Sequence, residues 1–88
     1  MEEYKSINAI LTDTEKTLYV NQNGIIIKTI LLYNSKSEAV NTTIKFDDTS
    51  FSFNINQNET KVISSPIFSK SIKAFGDGVN IHVTGLQL

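Results

Sequence analysis

A period-two alternation of apolar and polar residues runs through most of this 88-residue chain, in short segments separated by Asn, Asp, Gly and Ser. The clearest case is the pair of segments 40–46 and 50–55, which flank the turn signal Asp47-Asp48-Thr49. Each segment keeps its apolar residues on one parity, so each has one face to bury and one to leave in water. The pattern predicts a β-hairpin.

Similar segments occur at 6–11, 17–20, 25–33, 61–64 and from 79 to the C-terminus, and Asn23-Gly24 predicts a tight reversal before 25–33. Segment 67–75 leaves two readings open: its β-branched and aromatic residues favour a strand, whereas Ile67, Lys70 and Ala74 fit a helical stripe. The sequence predicts an all-β fold, an antiparallel β-sandwich (jelly-roll or Ig-like) of about seven or eight short strands. We expect one domain over residues 1–88, with residues 1–15 as a terminal arm or an edge strand.

The stretch NGIIIKTILLYN, residues 23–34, is apolar on both faces of the predicted strand. A strand of this kind must be covered on both sides. Either it is a central strand covered by the N-terminal segment or by 67–75, or its second face packs against another subunit. On the second reading the candidate interface residues are Ile26, Ile30 and Leu32.

Composition excludes several classes of function. The chain has no cysteine, and its net charge is -1. Its cations are scattered lysines without any arginine, so we expect no nucleic-acid partner. The start, MEEYKS, does not resemble a secretory signal, and no apolar run reaches the roughly 18 residues of a membrane helix. We therefore expect a soluble chain without a membrane partner.

The sequence offers no constellation of catalytic or ligand-binding residues. His82 is the only histidine and lies in the polar register of the last segment, with no base or nucleophile implied beside it. Asp47, Asp48 and Asp77 sit in turns, where aspartate side chains cap backbone amides. We expect no enzyme activity, no catalytic, cofactor-binding or metal-binding residues, and no cofactor.

The order of these features resembles the small β-sandwich structural proteins encoded among the virion genes of tailed bacteriophages and prophages. The resemblance covers most of the chain after about residue 16, and it is carried by segments 26–34, 40–46, 58–66 and 79–85. The sequence departs from the pattern of that group at SSPIFSKSIKAFGDG, which carries Lys and Ser where the group more often has a plain apolar run.

The resemblance implies a non-enzymatic structural component of a tailed bacteriophage virion: a capsid decoration, neck or tail accessory protein. It implies other virion proteins as partners and a homo-oligomer or repeated copies on the particle. It also implies location in the virion after synthesis in the bacterial host cytoplasm. The alternative is a small carbohydrate-binding or adhesive module, which requires coplanar exposed aromatics and acids on one face; Tyr4, Tyr19 and Tyr33 are the tyrosines available.

Overall fold

Seven antiparallel strands make up the fold of residues 3–88, the part of the chain that the computed structural model describes. Met1 and Glu2, at the start of the predicted arm or edge strand, lie outside the described residues. The strands are β1 (Glu3–Ile10), β2 (Lys16–Asn34), β3 (Val40–Phe46), β4 (Thr49–Ile55), β5 (Thr60–Ile63), β6 (Ile67–Phe75) and β7 (Val79–Gln87). The prediction of an all-β antiparallel sandwich is confirmed. The helical reading of 67–75 is wrong, because this segment pairs along β2 and β3.

Strand β2 belongs to both layers of the sandwich. The strand order is β1-β7-β2-β6-β3-β4, with β5 also paired to β2. Residues 16–27 of β2 pair with β6, whereas residues 25–34 pair with β7 and residues 30–33 with β5. The first layer is therefore β1, β7, the second half of β2 and β5; the second layer is the first half of β2, β6, β3 and β4.

The predicted reversal at Asn23-Gly24 is wrong, because the chain continues through it as strand. The register with β6 slips between Val20 and Ile25, which marks an irregular bulge at NQNG. Within it, Asn21 Oδ1 accepts a hydrogen bond from the Asn23 amide at 2.8 Å, and Gly24 has a φ of 89°. The residues that signal a turn thus bend β2 between the two layers instead of ending it.

Another bulge lies between Ile27 and Thr29 and reverses the parity of β2. Before the bulge Ile25 and Ile27 face the core, and after it the buried residues are Ile30 and Leu32. Two of the three candidate interface residues, Ile30 and Leu32, are therefore core residues with no exposed surface. The face assignment fails there because one extra residue shifts every later side chain to the other face.

One hydrophobic core lies between the layers, and both layers contribute to it. The first layer supplies residues of β7 and the second half of β2; the second layer supplies residues of β3, β4 and β6. Its buried members are Leu11, Ile25, Ile27, Ile30, Leu32, Ile44, Phe46, Ile55, Ile72, Ala74, Val79, Ile81 and Val83. The predicted apolar faces of segments 40–46 and 79–83 are confirmed by this set.

The predicted β3–β4 hairpin is confirmed, with Val40 opposite Ile55 and Phe46 opposite Thr49. Its turn contains Asp47, at a φ of 53°. The Asp47 carboxylate accepts hydrogen bonds from the amides of Lys70 and Ser71 at 3.0 and 3.1 Å. The turn aspartate therefore also holds the hairpin to β6.

Gly85 lets β7 approach β2 closely. A Cβ at this position would lie 2.6 Å from the Ile26 carbonyl oxygen and 3.0 Å from the Ile27 Cα, both backbone atoms. We expect Gly85→Ala to destabilise the fold by about 1–3 kcal/mol, because β7 must move away from β2. Urea unfolding measures the loss. Thr84→Ala, one residue away on the outer face, is the control, and an equal loss in both variants would contradict this reason.

Candidate assembly surfaces

The outward residues of the first layer form four cross-strand rows. The registers place Ile10, Asn80, Tyr33 and Thr60 in the first row, and Asn8, His82, Leu31 and Val62 in the second. The third row holds Ser6, Thr84 and Thr29, and the fourth Tyr4, Leu86, Ile26 and Phe68. We call this surface the neutral face, because none of these residues carries a formal charge at pH 7.

Exposed large hydrophobic residues concentrate on the neutral face. Eight are exposed in the described chain, and all but Val20 and Phe51 lie in these rows: Tyr4, Ile10, Leu31, Tyr33, Val62 and Phe68. Tyr4 is 78% and Phe68 52% exposed, at opposite ends of a row that crosses four strands. Scattered exposed apolar residues are ordinary, but six of the eight share this face, which makes it a candidate interaction surface.

Most charged residues lie around and behind this face. Lys45, Lys70 and Lys73 belong to the second layer. Lys28 is exposed and lies in β2 between the third and fourth rows, in the bulge where neither β5 nor β6 pairs with β2. At one end Lys36 Nζ is 2.6 Å from Asp77 Oδ2. The hydrogen bond and charge of Asp77 raise the pKa of Lys36, although an exposed pair of this kind adds little stability.

A shallow depression of about 400 Å³ occupies the first two rows of the neutral face. Its lining includes Asn8, Tyr33, Asn80 and His82, and His82 Nδ1 donates a hydrogen bond to Asn8 Oδ1. The depression has one aromatic ring and no carboxylate in its lining, so His82 has no acid partner there. The coplanar aromatics and acids that a carbohydrate site requires are not assembled at this place. Residues 3–88 also contain no cluster of His, Asp and Glu side chains that could hold a metal ion.

Within residues 3–88 two long sheet edges are unpaired. Strand β4 pairs only with β3, and its sequence TSFSFNI has no charge, proline or glycine. Strand β1 pairs only with β7, and its one ion pair, Lys5–Glu3 at 3.1 Å, leaves residues 6–10 uncharged. Soluble proteins usually protect such edges with charges, proline or short strands, as β5 does with four residues and Lys61. The edges of β1 and β4 expose backbone groups that can pair with another strand.

Of the three candidate interface residues, Ile26 alone lies on an outer surface. It is partly exposed in the fourth row, between Leu86 and Phe68. Its role in an interface stays a prediction. Sequence reasoning missed the other members of that row, because Tyr4 lies before the predicted first segment and Phe68 lies in the segment left between strand and helix.

The comparisons with known proteins show the fold. No family model and no curated protein matches this chain. Among solved structures, a chain of the Bacillus endospore appendages, described as a novel family of disulfide-linked pili, is similar with a TM-score of 0.61 and 12% sequence identity. The similarity covers 100% of this chain and 88% of that chain. In residues 3–88 no helix is long and apolar enough to cross a membrane.

Proposed function

We propose that this chain is a non-enzymatic structural subunit that builds a repeating protein assembly through its sheet edges. The observation that carries the proposal is the pair of unprotected edges, β1 and β4, at opposite ends of the strand order. When the β4 edge of one copy pairs with the β1 edge of the next, the pair still presents one free β1 edge and one free β4 edge. A head-to-tail contact of this kind repeats from copy to copy, and it gives a ring where the rotation closes and a filament where it does not.

The similarity in fold to the endospore appendage chain supports an assembly role, because those appendages are pili. Disulfide linkage, however, is impossible through these 88 residues, which have no cysteine. In the proposed assembly, backbone pairing and side-chain packing take the place of disulfides between copies. Seven-residue and eight-residue edges provide a main-chain ladder of useful length.

The setting we propose is the virion of a tailed bacteriophage, where the chain is present in repeated copies beside other virion proteins after synthesis in the host cytoplasm. The resemblance of segments after residue 16 to phage virion sandwiches supports this setting. Immunogold electron microscopy of the encoding cells and the particles they release tests it. Label on phage particles is the expected result, whereas label confined to surface fibres would replace the virion with an appendage.

The edge mechanism predicts that Phe51→Lys abolishes assembly. Phe51 lies on the inward parity of β4 opposite Ile44, but it is half exposed because β4 is an edge. A lysine there stays solvated in the free subunit and is buried when another strand covers the edge. Negative-stain electron microscopy and light scattering of the purified chain measure the assembly, and we expect it for the unmodified chain but not for Phe51→Lys.

Phe51→Leu is the matched control, because it keeps an apolar residue at the same place. We expect it to assemble, and we expect both variants to melt within a few degrees of the parent. Phe51 packs on Phe46 with ring centroids 6.1 Å apart, so a small loss in melting temperature accompanies both changes. Assembly that persists in Phe51→Lys with the same dimensions would exclude β4 as the contact.

A further inference from the structure

We infer that the neutral face binds a second copy of the same face, as a two-fold contact separate from the edges. Three features of the described residues lead to this occupant: the distribution of charge, the chemistry of the polar groups and the size of the face. The inference adds a second contact to the proposed assembly, and its test does not depend on edge pairing.

Charge limits what can cover the neutral face. A partner that brings an unpaired charge onto it must strip that charge of water, at a cost of several kcal/mol. The opposite outer face of this chain carries Lys45 and Lys73, and the end near Asp77 carries an ion pair. Apart from Lys28, in the bulge between its third and fourth rows, the neutral face has no charge to be stripped of water, and a second copy of the same face brings none.

The polar groups of the neutral face are self-complementary. Its polar members are hydroxyl, amide and imidazole side chains: Ser6, Asn8, Thr29, Thr60, Asn80, His82 and Thr84. Each of these groups both donates and accepts hydrogen bonds, unlike a lysine or a carboxylate. Two copies related by a two-fold axis can therefore satisfy one another, with apolar residues from the first and fourth rows around them. An isologous contact requires a surface of this kind.

The size of the face predicts a weak contact. Four strands about 4.8 Å apart and seven residues of about 3.4 Å rise span roughly 450 Å² in projection. A standard interface buries about 800 Å² from each partner, so this contact falls in the class of weak association. We expect a dimer at high concentration, or where edge pairing already holds copies together.

The test uses the Phe51→Lys variant of the full chain, in which the β4 edge is blocked. Sedimentation equilibrium from low micromolar to millimolar concentration should show a reversible monomer–dimer equilibrium. Amide NMR shifts should change with concentration at Leu31, Asn80 and Thr84, and should stay constant along β4. Because the β4 edge is blocked in this variant, a dimer seen here reports the face contact. A failure of the proposed edge assembly would be seen instead in the unmodified chain.

Two further variants in this background locate the contact. Ile10→Lys with Val62→Lys adds two charges to exposed positions of the neutral face. We expect dimer affinity to fall at least tenfold, because like charges from both copies meet across the axis. Asn41→Lys with Ser52→Lys adds the same charge to the outer face of the second layer, and we expect affinity within twofold of the parent.

The inference is overturned if the chain stays monomeric at millimolar concentration. It is also overturned if both pairs of lysines weaken the dimer equally, or if the concentration-dependent shifts are confined to β1 and β4. If the neutral face binds a different protein and not itself, the purified chain stays monomeric, and the inference is overturned.

Discussion

Replacing Asn34 with aspartate is expected to destabilise the fold by about 3–5 kcal/mol at neutral pH. Asn34 is fully buried at the end of β2. Its Nδ2 donates to the carbonyls of Glu38 and Ile55 at 2.8 and 2.9 Å, and its Oδ1 accepts from the Lys36 amide at 2.9 Å. Aspartate has the same shape, but it puts an acceptor where two carbonyl oxygens need a donor.

The backbone of Asn34 adds to the expected effect. Its amide donates to the Glu59 carbonyl at 3.1 Å, and its carbonyl accepts from the Asn58 amide at 2.8 Å. One residue therefore joins the end of β2 to the β2–β3 connection, to β4 and to the β4–β5 turn. The two backbone bonds are kept in the variant and hold residue 34 in place, so the new carboxylate cannot move away from the carbonyl oxygens of Glu38 and Ile55.

The defect of Asn34→Asp should depend on pH. In the buried site the new carboxyl is protonated more readily than in the unfolded chain, so its pKa is higher in the folded state. A group with a raised folded-state pKa keeps its stability at low pH and loses it as pH rises through that pKa. The difference from the parent should therefore shrink towards pH 4 and widen towards pH 7.

Urea unfolding at both pH values, followed by circular dichroism, measures the effect. Asn54→Asp is the control, because it makes the same chemical change at an exposed position of β4, where we expect a change within about 0.5 kcal/mol. Equal losses in the two variants at pH 7, or a loss from Asn34→Asp that does not respond to pH, would show that buried hydrogen bonding is not the reason.

The parts of the fold that depend on local signals could be predicted from the sequence. The β3–β4 hairpin has clean alternation on both strands and a turn made of Asp47 and its neighbours, and all of this information lies within 16 consecutive residues. The apolar face of β7 could be predicted equally well, because Val79, Ile81 and Val83 alternate with polar residues. In such segments the alternation of apolar and polar residues is enough to predict which face is buried.

Strand β2 could not be predicted in the same way. In Ile25 to Leu32 both parities are apolar, so alternation does not reveal the bulge at Lys28 that moves Ile30 and Leu32 into the core. Gly24 signals a positive φ but not whether the chain reverses after it. That outcome depends on pairing with β6 and β7, which lie more than forty residues away in sequence.

The candidate surfaces were harder still, because they depend on strand order. The sequence TSFSFNI contains no signal that β4 is an edge strand. It is one because it lies at the end of the strand order. Likewise Tyr4 and Phe68 lie far apart in the chain, and the pairing of four strands brings them into one row. Long-range pairing of this kind leaves no local signal.

Truncation of the core is the second large effect that we expect, and Ile27→Ala and Ile44→Ala should each cost about 2–5 kcal/mol. Both side chains are fully buried, one in β2 and the other in β3. Removing the outer carbons loses their transfer free energy and leaves a cavity that the packed sheets fill only in part. Urea unfolding gives the free energy of unfolding, and Val20→Ala is the exposed aliphatic control.

The double variant gives the sharper result. A chain of this length has a total stability of roughly 4–13 kcal/mol. Ile27 lies in β2 and Ile44 in β3, two strands that do not pair with each other, so their losses should nearly add and use up most of this stability. We therefore expect Ile27→Ala with Ile44→Ala to be largely unfolded at 25 °C, while Val20→Ala unfolds like the parent. A folded double variant with an unchanged urea midpoint would mean that these side chains do not form the common core of the two layers.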